Sequence, residues 1–285
     1  MSSWTAIVDD VINHVNLLKE LGGRNAEIDP AVMRALGSAA VASRPGPAAP
    51  PAASAQPRSA PRAKPPAPTP PVTAHAPAQS PEARRTALAD IAARSAACEA
   101  CVLCHQRTHS VPGQGNPDSP DVMFIGEAPG ADEDRQGLAF VGAAGQFLTK
   151  MISAMGYTRD EVFIANICKC RPPGNRAPLP EEIQTCLPFL REQIRIIRPK
   201  VIVLLGGTAI KGLLDTQVGV SRLQGQWTRY DGIPVMSTFH PAYILRFESS
   251  GDREGLKTAK TQIWSTLKLV LAQLGKSVPA PSAKK

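Results

Sequence analysis

Asp121-Val-Met-Phe-Ile125 leads into Gly126-Glu-Ala-Pro-Gly130; after an acidic cluster the chain reads Phe140-Val-Gly-Ala-Ala-Gly145 and then Gln146-Phe-Leu-Thr-Lys-Met-Ile152. The first run is short, apolar and bounded by turn formers, the pattern of a buried strand. The last run is helical in its spacing. Strand, glycine-rich loop and helix in that order are how an α/β protein builds a ligand pocket at the carboxyl end of its sheet. Neither common phosphate loop is present, since Gly-Lys-Ser/Thr is missing and the glycines are not spaced G-x-G-x-x-G. The loop offers instead a carboxylate, Glu127, on a tight turn, further acids at Asp132, Glu133 and Asp134, and one aromatic, Phe140. A flat ring beside a polar loop suits a planar ligand held by stacking, although a surface turn between strand and helix would read the same in this stretch alone.

Outward from this stretch, three more strands are expected over 161–166, 200–206 and 233–239. Helices are expected over 82–97, over 180–197 with Ile183, Leu187, Leu190 and Ile194 at helical spacing, in a short segment ending at Leu214, and over 255–274. Strands alternating with helices imply a parallel sheet covered on both faces. The expected fold is a three-layer α/β/α domain over 82–276 with a central four-stranded, mainly parallel sheet.

Ahead of it, residues 1–38 form a separate segment. Trp4, Ile7, Val8, Val11, Val15 and Leu18 fall on one face of a helix over 3–21, with a second, weaker helix over 31–36. This piece is too small for a core of its own and reads either as a partner-binding helix or as a flap on the main domain. Residues 39–81 hold nearly half of the 28 prolines and carry Arg44, Arg58, Arg62 and Lys64 but no acid. Such a composition cannot offset its ordering entropy by burial, so the sequence predicts an extended, disordered tether, with a second disordered tail over 277–285.

The 285 residues carry a formal charge of +8, which suits an anionic partner. No run approaches the roughly 18 apolar residues of a membrane span. The first residues lack the basic-then-apolar order of a secretory signal, with Asp9 and Asp10 inside the apolar pattern, so a cytoplasmic protein is expected. In that reducing compartment six cysteines point to metal or redox chemistry rather than disulfides. They stand as Cys98-x-x-Cys101 and Cys104, then Cys168-x-Cys170, then Cys186. A CxxC pair plus distant thiols is what a four-thiolate centre requires, and zinc and an iron–sulfur cluster share those ligands.

Two further strand ends carry polar groups. Asn166 is followed by Lys169-Cys-Arg-Pro-Pro-Gly-Asn-Arg176, in which a carboxamide able to donate and accept precedes a rigid basic loop. His240 opens Phe239-His-Pro-Ala-Tyr-Ile-Leu-Arg246, read as a Pro-fixed loop with an apolar tip and a basic neighbour, the makings of a wedge into a base stack. Glu127, Phe140, Asn166 and His240 thus lie just beyond carboxyl ends of expected strands, around one crevice.

In these blocks the chain from about Cys98 to Arg246 resembles the iron–sulfur, or family 4, uracil-DNA glycosylases. The matching pieces are Cys98-x-x-Cys101-x-Leu103-x-x-x-Arg107, Gly126-Glu-Ala-Pro-Gly130 with Glu133-Asp134, Phe140-Val-Gly-x-Ala-Gly145, Asn166-x-x-Lys-Cys-Arg-Pro-Pro-x-Asn-Arg176, Cys186 and His240-Pro-x-Tyr-x-Leu-Arg246. The resemblance implies a [4Fe–4S] cluster on Cys98, Cys101, Cys170 and Cys186. Cys104 and Cys168 stay outside that set, Cys104 within reach of it. It also implies a monomeric base-excision-repair enzyme that flips uracil out of DNA and hydrolyses its N-glycosidic bond.

On that reading Glu127 and His240 are catalytic, and Ala128, Glu133, Phe140 and Asn166 line the uracil. Arg171, Arg176, Tyr243, Leu245 and Arg246 contact DNA. The resemblance does not cover the first 80 residues, whose helix and tether suggest recruitment to a repair or replication protein. Ala128 stands where cluster-free uracil-DNA glycosylases place an Asp, which leaves the group that activates water unassigned. No His lies between Asn166 and Pro178, where a related branch that traps uracil covalently carries one, so turnover is expected. The competing readings are a non-catalytic iron–sulfur or zinc DNA-binding module and a nucleotide-metabolising α/β enzyme, the latter disfavoured by the missing phosphate-loop lysine.

Overall fold

A computed structural model of the protein describes residues 80–279. The expected helices over 3–21 and 31–36, the Pro/Ala-rich stretch up to residue 79, and residues 280–285 lie outside them. Ser80 caps the first helix, α1 (Pro81–Ala96), its hydroxyl accepting from the Ala83 N–H at 3.2 Å.

Four strands form the parallel centre of the sheet: β2 (Val122–Gly126), β3 (Phe163–Asn166), β4 (Val201–Leu205) and β6 (Ile233–Thr238). They pair in the order β3-β2-β4-β6, with Gly126 opposite Asn166, Ile125 opposite Leu204 and Leu205 opposite Thr238. This register brings four carboxyl ends to one edge of the sheet.

The sheet has six strands, not the expected four. A two-residue strand β1 (Gln114–Gly115) runs antiparallel to β3 at one edge, and β5 (Trp227–Tyr230) runs antiparallel to β6 at the other. Strand β1 is too short to carry any periodicity. Strand β5 does carry a signal: Asp231 and Gly232 both take positive φ, 47° and 78°, the conformation a two-residue hairpin loop demands.

Both faces of the parallel strands are apolar, and alternate residues enter two cores. Val122, Phe124, Val201, Val203 and Leu205 face one layer, which contains α3 (Ala143–Ala154), α7 (Pro241–Ser250) and α8 (Arg253–Gln273). Met123, Ile125, Ile202 and Leu204 face the other, which contains α4 (Pro180–Ile197) and α5 (Gly207–Leu214). The three-layer expectation therefore holds. Two short helices, α2 (Ala131–Gln136) and α6 (Val220–Leu223), and two 3₁₀ turns, Val102–His105 and Pro173–Asn175, complete the elements of the described residues. None of their helices is long and apolar enough to cross a membrane.

One further expectation is corrected. Residues 241–246 are not a loop but the first turns of α7, started by His240 at the N-cap and Pro241 at the first helical position. Ile244, expected at an exposed tip, is fully buried in the core.

Candidate active site

A cleft of about 480 Å³ opens at the carboxyl edge of the parallel strands. Glu127, Ala128, Glu133, Phe140, Asn166 and His240 all line it, so the loops after β2, β3 and β6 do converge. Arg176, Tyr243 and Arg246 reach its rim, whereas Arg171 and Leu245 are not among its lining residues.

Phe140 is the best-fixed group in the cleft. Its backbone sits at φ 54°, a conformation that costs a bulky residue roughly 1–3 kcal/mol. Buried Glu133 holds the turn there: its Oε1 accepts from the Val141 and Gly142 N–H groups, both at 2.8 Å, and its Oε2 accepts from Gly130 at 3.1 Å. On the other side the Arg159 guanidinium donates to the Ala139 carbonyl at 2.7 Å. Hydrogen bonds to a charged group contribute about 1.5–3 kcal/mol each, so the clamp outweighs the strain. A side chain on Gly145 would collide with the Phe140 main chain, and one on Gly126 would collide with both the Phe140 ring and the Asn166 carboxamide. These two glycines are therefore spacers for the ring and the amide. Glu133 lines the cleft as expected, with its carboxylate committed to the loop.

Asn166 ends β3 at 2% exposure, and its Oδ1 has no hydrogen-bond partner. An unpaired buried acceptor costs about 1–3 kcal/mol, which marks a group aimed at a ligand. Across the cleft, His240 Nδ1 accepts from the Ala242 N–H at 3.1 Å, so the ring proton sits on Nε2. Burial, with the Arg246 charge as a second cause, lowers its pKa from the usual 6.5 to about 4. The imidazole is thus a neutral donor at pH 7. It lies beside Phe140, the ring centroids 5.7 Å apart. Gly206 stands behind it at φ 87°, where a Cβ would press on the His240 side chain at 2.9 Å.

Two contacts had no sequence signal. The Thr208 hydroxyl, in the first turn of α5, donates a short hydrogen bond to Glu127 Oε2. Arg159 comes from the loop between α3 and β3 and reaches Phe140 only through the Ala139 carbonyl. Neither residue lies in a recognisable motif; the strand order brings both in.

The basic rim is partly spoken for. Arg176 makes a bidentate pair with Glu182, at 2.8 and 2.6 Å, and Glu182 is 1% exposed and also accepts from the Leu179 N–H. Arg171 donates to Asn175 Oδ1 at 2.7 Å. Tyr243 stacks on Phe239 at 4.6 Å and meets the edge of Phe247 at 4.9 Å, so its ring is braced rather than free.

Behind the Asn166 loop lies a second, small cavity lined by Cys98, Cys101, Cys104, Cys170 and Cys186. Among the described residues, no three His, Cys, Asp or Glu side chains meet at a single-ion position. Arg107 donates to Cys170 Sγ at 2.9 Å, and the Lys169 peptide N–H donates to Cys186 Sγ at 3.1 Å. Burial pushes the Cys170 thiol up to about 11, with Arg107 pulling the other way. Cys186 is pulled down by a hydrogen bond from Cys168, which lies outside the cavity lining. None of the six cysteines is in a disulfide.

The uracil DNA glycosylase superfamily matches residues 112–268. Among curated relatives, the type-4 uracil-DNA glycosylase of Thermotoga maritima is 44% identical over 174 residues, covering 58% of this chain and 89% of that protein. The type-4 uracil-DNA glycosylase of Archaeoglobus fulgidus is 42% identical over 168 residues, 55% of this chain and 83% of that protein. A type-5 uracil-DNA glycosylase of Pyrobaculum aerophilum is more distant, 32% identical over 138 residues and 61% of its length.

Proposed function

Since the chain belongs to the type-4 uracil-DNA glycosylases, we propose that it removes uracil from DNA in base excision repair, with the residue roles that follow. The observation that carries these roles is the unpaired Oδ1 of Asn166 facing a cleft that also holds an aromatic ring and a neutral imidazole donor.

Flipping uracil out of the stack costs a few kcal/mol, least for a U·G mismatch. Phe140 stacks on the flipped base and recovers roughly 1–3 kcal/mol. Asn166 Oδ1 accepts from uracil N3–H while its amide donates to O4. Cytosine offers the opposite polarity at that edge, and a buried amide left unpaired rejects the wrong base by about 10⁴ or more. Glu133 acts on specificity through the loop it holds.

As the bond between C1′ and N1 breaks, its electron pair moves onto uracil, and charge gathers on O2. His240 Nε2–H donates to that oxygen, and one preorganised donor of this kind is worth about 2.7–4 kcal/mol. Glu127, held by Thr208, orients the water that adds to C1′ and takes its proton. Tyr243, Leu245 and Arg246 at the start of α7, with Arg171 and Arg176 opposite, contact the DNA strand.

The five cysteines around the second cavity, with N–H groups already on two of the sulfurs, fit a [4Fe–4S] cluster on Cys98, Cys101, Cys170 and Cys186. When bound, it cross-links the segment from Cys170 to Cys186; hydrolysis needs no electron from it. The proposed location is cytoplasmic, on the six free thiols. Residues 1–80 are proposed to recruit a repair or replication protein through the helix that the sequence predicts over 3–21. Unchanged pull-down partners after their deletion would remove that part.

The test is a gel assay in which iron-loaded protein meets a labelled uracil oligonucleotide beside a thymine control, followed by alkali. Cleavage with uracil alone supports the reading. A protein with the visible absorbance of thiolate-bound iron but no cleavage supports a non-catalytic DNA-binding module instead.

A further inference from the structure

Lys169 is a charged residue that the reaction above does not use, although it lies between the base reader and the cysteines. It is 1% exposed, among the largest fully buried side chains of the described residues. Its ammonium has two acceptors, the main-chain carbonyl of Asn166 at 2.9 Å and Gln193 Oε1 at 2.7 Å. Gln193 is itself fixed, donating to the Pro112 carbonyl at 2.8 Å. The Lys169 main chain is held as well, its N–H on Cys186 Sγ at 3.1 Å and its carbonyl accepting from Val111 at 2.7 Å.

Both acceptors of the ammonium are neutral. Lys169 also lines the cysteine cavity, whose thiolates would supply the countercharge for a buried cation without requiring a hydrogen bond to a main-chain carbonyl. What the ammonium adds is direction: it grips the carbonyl of the residue whose carboxamide faces the cleft. It takes its own bearing from α4 through Gln193 and from the 111–112 segment.

We propose that Lys169 is the positioning residue for uracil recognition, fixing Asn166 by the hydrogen bond to its carbonyl and bracing it against Gln193. The proposal rests on Asn166 being the base reader. A displacement of about 1 Å at a positioned group can cost on the order of 10² in rate, so even a partial release of the strand end is measurable.

The experiment uses the full chain loaded with iron. Free uracil binding by calorimetry, and affinity for a duplex with an abasic site in place of deoxyuridine, are measured for the wild type, Lys169→Met and Asn166→Ala. The abasic duplex reports DNA binding without a base to read. Lys169→Met is expected to weaken uracil binding about tenfold or more while leaving abasic-duplex affinity unchanged. Asn166→Ala shows the same selective loss, larger.

If Asn166→Ala loses uracil and Lys169→Met does not, the inference alone fails. A parallel loss of both affinities in Lys169→Met makes the lysine merely structural and also overturns it. If Asn166→Ala binds uracil normally, the reading of Asn166 fails and takes the inference with it. Should Lys169→Met not fold, Gln193→Leu takes its place, removing the brace but keeping the lysine. A smaller selective loss of uracil binding is then expected, and an unchanged one contradicts the proposal.

Discussion

On one side of the cleft, residues 126–145 are closed by their own chemistry: a buried carboxylate gathers three main-chain N–H groups around Phe140, and an arginine holds the carbonyl just before the ring. On the other, residues 166–186 carry Asn166 and are tied by an ion pair, a buried lysine and cysteines lining a shared cavity. The first lip is finished by protein atoms. The second is held by the Glu182 carboxylate, which pairs with Arg176 and accepts from the Leu179 N–H, and by contacts that end on the sulfurs of Cys170 and Cys186. The proposed cluster would add to this lip a cross-link through Cys170 and Cys186 that has no counterpart in the first.

Removing iron is the hardest blow to this comparison. Anaerobic chelation is expected to abolish uracil excision and to open the chain between Cys170 and Cys186 to proteolysis, while residues 126–145 stay protected. Excision that survives iron removal would mean both lips are held by protein alone. His240→Ala tests the group facing both lips and should lower kcat by about 10²–10³ in single-turnover assays. The wild-type pH profile bears on the same group. Because burial holds His240 near 4 rather than 6.5, kcat should show no inflection near pH 6.5 and decline only toward pH 4. Stability follows the same sign. Between those values the unfolded chain binds the proton and the folded chain does not, so the unfolding free energy falls as pH drops from 6.5 toward 4.

Glu133→Ala attacks the self-closed lip. It leaves three N–H groups without their acceptor and should cost about 3 kcal/mol in urea unfolding, with the iron content unchanged. If iron is lost as well, the lips are not independent. Thr208→Val removes the donor to Glu127 and should lower kcat about tenfold, the value of one hydrogen bond to a charged group, with Thr208→Ser restoring it. Arg246→Ala is the mildest: DNA affinity drops by a few-fold and the salt dependence of binding loses about one unit of slope.

The two lips also differ in how much of them could be read from the sequence. The Asn166 to Arg176 block and His240-Pro could be placed at strand ends because apolar runs with period or length mark the strands themselves, and Cys98-x-x-Cys101 stood out by its spacing after the first expected helix. What escaped depends on strand order. Thr208 follows β4, and only the pairing of β4 with β2 brings its hydroxyl to Glu127. Arg159 lies in a loop whose sequence gives no hint that it reaches the Ala139 carbonyl. Glu133 was visible as an acid but not as a clamp, since nothing local says that its oxygens collect N–H groups from residues 130, 141 and 142.

Two misreadings had signals that were present. Asp231-Gly232 announces a hairpin, and hence β5, while a Pro directly after a capping residue announces α7 rather than a loop. In the second case an apolar cluster, Tyr243-Ile-Leu245, looked like an exposed tip because its helical period is too short to show an inward face. Ile244 turns into the core, and Tyr243 leans on Phe239 and Phe247.

The most direct test of the account is the base released from three duplexes that differ at one position, carrying uracil, cytosine or thymine, on iron-loaded protein in a single turnover. Uracil should be released at least about 10⁴ times faster than cytosine, the discrimination expected when a buried carboxamide is left unpaired by the wrong edge. Comparable release of cytosine or thymine, or no release of uracil, would contradict the assignment of Asn166 and the cleft to uracil.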